Sequence, residues 1–319
     1  DRAYYVPLVG HVVVENLEFG DRNGGAFLEA KKVTLVLDTG RKDFFAGSVD
    51  ARDVSLQAGY TGITAKSLSV HDFSVDKALF DRSPLESVKK LGTIRLNSAV
   101  FRQEGEMRFS LESLKADTGY AEGKIPRSST VSLKDLVMDV RQFMPFSTLR
   151  PEYRLSNFEL KNSLSNGVYT VNLVIDGANL FTIKVDLGIS LPRELLASGR
   201  ITDLAEIDYK EEVKMDSLAL TYTDKSFLDH VFELTEIPGG RAGAAEQLNE
   251  TFMILAETGG VDVERFVNEA TKFIAKSGKF ELKTNLDFPM SFEEIIRNPL
   301  VMNLSLSING GKPFITGGQ

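Results

Sequence analysis

The chain has 319 residues, 42% of them apolar and 26% charged, enough to bury a sizeable core and to exclude global disorder. Its net charge of −8 lies almost wholly in the second half: residues 1–150 carry 21 Lys/Arg against 20 Asp/Glu, residues 151–319 carry 16 against 25. That balance, with no long basic run, argues against a nucleic-acid partner. The absence of cysteine excludes disulfides, thiolate metal ligands and a cysteine nucleophile, and leaves the compartment open.

The first 75 residues read as short strands that return every 10–15 residues: Val12, Val14 and Leu17; Val33, Leu35 and Leu37 before Asp38-Thr39-Gly40; Val54, Leu56 and Ala58; then Ile63, Ala65, Leu68 and Val70. A helix is predicted over 77–91, from the Ser83-Pro84 start, Glu86, and the Leu85, Val88, Leu91 stripe ended by Gly92. Strands resume over 93–102 and 107–114, and 131–140 is assigned to strand although it fits either period imperfectly. The strongest hairpin spans 169–191. Tyr169, Val171, Leu173 and Ile175 alternate, Asp176-Gly177-Ala178-Asn179 turns, and Phe181, Ile183, Val185, Leu187, Ile189 and Leu191 alternate again. Met215, Leu218, Leu220 and Tyr222 make a further strand.

Residues 225–278 then read as helical, broken at Pro238-Gly239-Gly240 and closed at Gly259-Gly260 and Gly278. Ser291 with Glu294 forms a capping box for a short helix before Pro299, and 301–308 is a half-buried strand whose apolar set is even-numbered. The fold class expected is mainly β: a long curved antiparallel sheet with a C-terminal helical insertion or cap. Residues 1–192 form the extended β region, and 193–319 continue the sheet with a helical insertion at about 225–278. Strands following strands without crossover helices disfavour a parallel α/β fold.

Little points to catalysis. His11, His71 and His230 stand far apart, with no HxH or HExxH, so no metal site is expected. No dinucleotide fingerprint, P-loop or GxSxG elbow occurs; Asn309-Gly310-Gly311-Lys312 follows a strand and leads to Pro313, as a simple turn does. The acid pairs Asp38/Asp43, Asp50/Asp53, Glu104/Glu106 and Glu293/Glu294 read as solvated faces, and no calcium-loop pattern is present. An enzyme is not expected, nor a cofactor. The strongest feature is apolar and aromatic side chains on long strands, with 21 Phe and no Trp. Core packing is the plain reading. The functional reading is a curved sheet whose apolar inner face takes a hydrophobic ligand, with Phe181, Ile183, Val185 and Leu187 as the face.

Three phrases resemble the AsmA and YdgA-like superfamily of bacterial envelope proteins: Ser-Leu-Lys-Asp-Leu-Val-Met-Asp-Val at 132–140, Leu-Thr-Tyr-Thr-Asp-Lys-Ser-Phe-Leu at 220–228, and the stretch from Asn298-Pro299-Leu300 to Ile308-Asn309-Gly310. The resemblance concerns residues 130–310. It implies a periplasmic or other extracytoplasmic protein, anchored in the inner membrane through a segment absent from this chain, that binds or transports lipid. It carries over no catalytic residues. The alternative is a structural or protein–protein interaction module of the envelope, with other envelope proteins as partners. The opening Asp1-Arg2-Ala3-Tyr4-Tyr5 reads as part of something longer, and no apolar stretch reaches the length needed to cross a bilayer.

Overall fold

A computed structural model describes residues 2–6, 11–20, 25–38, 44–76, 88–121, 125–139, 152–199, 208, 210–259, 261–284, 286–297 and 302–315. The fold is mainly β and antiparallel. Two compact units divide it: one comprises residues 1–142, 152–164 and 197–205, the other 143–151, 165–196 and 206–319.

In the first unit nine strands lie in chain order: β1 (Arg2–Val6), β2 (His11–Gly20), β3 (Ala26–Leu37), β4 (Phe44–Ala58), β5 (Thr61–Asp76), β6 (Val88–Gln103), β7 (Glu106–Ala121), β8 (Ser128–Asp139) and β9 (Glu152–Ser165). Each pairs antiparallel with the strand before it. Neighbouring strands tied by hairpins satisfy one another's backbone groups without crossovers. The strand expected over 131–140 is present as β8.

The helix predicted over 77–91 is corrected in its last part. Residues 77–87 lie outside the described residues, but from Val88 the chain is strand, with Val88 opposite Val75 and Leu91 opposite Tyr120. Two ladders of cross-strand pairing outweigh a three-residue helical stripe.

Apolar residues lie opposite apolar residues across the whole unit. One row runs Val14, Val33, Ala51, Leu68, Leu96, Leu114, Leu133 and Phe158 from β2 to β9. A second begins Leu17, Ala30, Val54, Ala65, Ala99 and Leu111. The two rows are separated in every strand by two consecutive polar residues rather than one: Glu15-Asn16, Lys31-Lys32, Arg52-Asp53, Lys66-Ser67, Asn97-Ser98, Glu112-Ser113, Lys134-Asp135 and Ser156-Asn157.

Simple alternation would throw one half of each strand onto the wrong face. The backbone absorbs the extra residue with no shift of register, since Glu15 against Lys32 and Leu17 against Ala30 leave Asn16 and Lys31 unpaired opposite each other; Asn16, Asp53, Ser98 and Asp135, on alternate strands, sit at φ of 54°, 49°, 49° and 48°. Asn and Asp tolerate this left-handed conformation better than most residues. The eight breaks share one transverse line.

In the second unit β10 (Val168–Gly177), β11 (Phe181–Ser190), β12 (Lys214–Asp224), β13 (Lys279–Lys283), β15 (Ser305–Ile308) and β16 (Phe314–Ile315) follow in order, with β14 (Met290–Ser291) paired to β12. The hairpin over 169–191 forms as expected, turning at 178–180. The last strand is shorter than the predicted 301–308, but Leu306 and Ile308 face Leu282 and Phe280 as the even-numbered set. Its partner β13 was not anticipated.

Helix α1 (Arg193–Ser198) follows β11, and α2 (Phe227–Leu234), α3 (Gly240–Gly259) and α4 (Val261–Lys276) fill the predicted helical stretch. The short helix α5 (Phe292–Arg297) carries the expected capping box. Ser291 N–H donates to Glu294 Oε2 at 2.8 Å and Glu294 N–H to Ser291 Oγ at 3.2 Å.

Candidate functional site

The first unit has a one-sided sheet. Its core clusters are drawn from the apolar face itself: Ala30, Val33 and Ala51 in one, Ala65, Ala99 and Leu111 in the other, each flanked by half-buried Val and Leu from the same strands. Two consecutive side chains stand on the polar side of the break, so the apolar halves of each strand share the opposite face.

Exposure follows this geometry. Ala30 and Ala99, beside the line, are 3% exposed; Leu56 and Ile63, near the strand ends, reach 40% and 37%, and Phe19 reaches 73%. The alanines beside the line are the most deeply buried residues of this face, among larger Val and Leu neighbours. Phe101 and Phe109 stack at 4.7 Å near the same strand ends. The result is an apolar strip running across β2 to β9. At about 4.8 Å per strand it is about 34 Å long. Its backbone N–H and C=O groups are engaged in the ladders, and its lining rows hold no charged side chain. Such a surface takes apolar matter and offers nothing to a polar group.

The polar face has a different character. Arg52, Asp53, Lys66, Ser67, Asn97 and Ser98 share an open depression along the line of breaks, and Asn97 Nδ2 donates to Ser67 Oγ at 2.8 Å. Asp135 receives Arg154 Nε at 2.8 Å, which holds its carboxyl below the ordinary range, chiefly through that hydrogen bond.

The four residues named from sequence lie in the second unit, on one face of β11, all half-buried. Phe181 stands against the ring of Phe227 at 5.1 Å and of Tyr222 at 6.4 Å. Ile183 is opposite Ile175 and Tyr222, Val185 opposite Leu173 and Leu220, Leu187 opposite Val171 and Leu218. The structure thus brings them together in one apolar face. Its Phe181 end is packed by helix; the rows of Val185 and Leu187 continue toward the other strand ends.

The sequence reading missed the apolar strip of the first unit, although its signal is present: an apolar–polar–polar–apolar tetrad stands at a matching height in each of eight strands, at 14–17, 30–33, 51–54, 65–68, 96–99, 111–114, 133–136 and 155–158.

His71 Nε2 meets Asp50 Oδ1 at 3.0 Å on an exposed surface, and His230 meets Glu233 at 3.5 Å within α2. Among the described residues no cluster of His, Asp and Glu could hold a metal ion. Glu211 and Glu293 approach each other on the surface, and their shared hydrogen bond and mutual repulsion raise the Glu211 carboxyl above its ordinary range. No described helix is long and apolar enough to cross a membrane. Compared with known proteins, the chain matches no family model and no curated protein.

Proposed function

We propose that the protein is a non-enzymatic lipid-handling protein of the cell envelope, holding acyl chains on its apolar strip. The carrying observation is the in-phase break of the apolar–polar pattern in eight consecutive strands, which sets their apolar halves on one face, graded from buried residues beside the break to exposed ones near the strand ends. Each methylene taken from water into such a surface gains about 0.8 kcal/mol. The strip length of about 34 Å is roughly twice the acyl layer of one leaflet, about 15 Å. Room for chains end to end favours passage along the strip over storage of a single molecule. The polar headgroup stays in water beyond the strip.

The resemblance to AsmA and YdgA-like proteins supports an extracytoplasmic location and an inner-membrane anchor outside this chain. It remains an argument from likeness.

Native mass spectrometry of the purified protein, followed by organic extraction and lipid analysis, tests the proposal. A reproducible bound lipid, lost when Leu96 is replaced by Asp and kept when Asn97 is, supports binding on the strip. A clean unliganded mass with no uptake from added vesicles sinks it and turns attention to pairing with other envelope proteins.

A further inference from the structure

We infer that helices α2–α4 form a latched cap over one end of the second unit's apolar face, with the Arg241 guanidinium as the latch. The inference rests on the reading that apolar faces of this protein take acyl chains.

Connectivity comes first. Strands β12 and β13 pair directly, Thr223 against Lys279, so the sheet is complete without the helices inserted between them. The cap touches the face through aromatic rings: Phe227 on Phe181, and Phe273 on Tyr222 and Phe280 at 6.2 and 6.4 Å. Tyr222 and Phe280 belong to one row with Ile183 and Ile308, and Phe181, opposite Asp224, stands beyond it toward the strand ends.

Arg241 ties the cap down. It pairs with the fully buried Asp224 at the end of β12 and with Asp229 of α2, and donates to the Ile274 carbonyl in the last turn of α4 at 2.9 Å. Asp224 also accepts from the Tyr222 hydroxyl at 2.9 Å and the Leu228 N–H at 3.1 Å. Burial opposes the charge on Arg241, but its bonds to Asp229 and Asp224 outweigh that and hold it protonated. One side chain therefore fastens a strand and two helices.

Three backbone N–H groups, of Lys225, Ser226 and Phe227, converge on the Leu180 carbonyl where the excursion begins. Glu236, Gly239 and Gly240 adopt φ of 52°, 79° and 56° between α2 and α3, and Ser277 adopts 66° where it ends. Within the cap His230 Nε2 and Thr271 Oγ1 are buried without a hydrogen-bond partner among the described residues. Opening would hydrate both, so the latch works against a standing cost of closure.

The test uses the neutral double variant D224N/R241Q, which removes the latch without stranding a buried charge, alongside R241K. Hydrogen exchange is read on α3 and α4 with β10–β12 as internal reference, together with the rate of uptake of a fluorescent fatty acid. The latch predicts at least tenfold faster exchange in the helices, unchanged strands, several-fold faster uptake to the same final stoichiometry, and partial return in R241K. Unchanged helix protection overturns it. So does faster exchange with an unchanged uptake rate. If the wild-type protein takes up no fatty acid, the lipid reading itself has failed and the cap gates nothing; the exchange data then show whether the latch was also misread.

Discussion

Ser98 shows how a single backbone angle serves the fold. Its φ of 49° lies in the region where a side chain crowds its own carbonyl, and it is one of four such residues on alternate strands. Replacing it with Gly removes the crowding, whereas Val adds a branch where none fits. Urea unfolding should therefore find Ser98→Val less stable than wild type by about 1–2 kcal/mol and Ser98→Gly level with it. A second residue-scale expectation concerns Glu294. The Ser291 N–H and hydroxyl, in that order, hold its carboxyl below the ordinary value of 4.5. The carboxylate's contribution to the cap of α5 is whole above 4.5 and fades as pH falls through the lowered folded value. An NMR titration should place the Glu294 midpoint below that of a free Glu, and Ser291→Ala should raise it only part of the way, because the backbone N–H remains.

At the scale of the element, what was legible depended on whether local pattern and pairing agreed. Uninterrupted alternation made the 169–191 hairpin readable, and Ser291 with Glu294 announced α5. The segment from Val88 misled because its helical stripe is local, while the pairing that decides its state comes from β5 and β7, far along the chain. The tetrads were harder. A doubled polar pair inside a strand looks like a broken period until it is compared with the same pair in the next strand. That reading has a sharp consequence. Deleting Asp53 should restore strict alternation in β4 but shorten the strand by one residue, so that Val54 and Leu56 fall out of register with Ala30 and Leu28. The expected result is loss of cooperative unfolding by circular dichroism, where Asp53→Gly keeps it.

For the whole molecule, residue chemistry alone placed the candidate face in the second unit, because Phe181, Ile183, Val185 and Leu187 advertise themselves on one strand. The strip of the first unit is a property of eight strands together and no one of them displays it. Several of its most buried residues, Ala30, Ala51, Ala65 and Ala99, are alanines, which attract little notice in a sequence. A larger side chain in their place tests it: Ala65→Phe should lower bound lipid at least threefold, read by extraction, while the protein stays folded by circular dichroism.

Because every strand of β2 to β9 breaks phase at the same height, the hairpin is an interchangeable part. Repeating one, such as the pair β4 and β5, would set its own tetrads in line with those on either side and lengthen the strip by about 10 Å. Size in a protein of this design is then a matter of how many hairpins are copied in tandem, and chains of quite different length could share one cross-section.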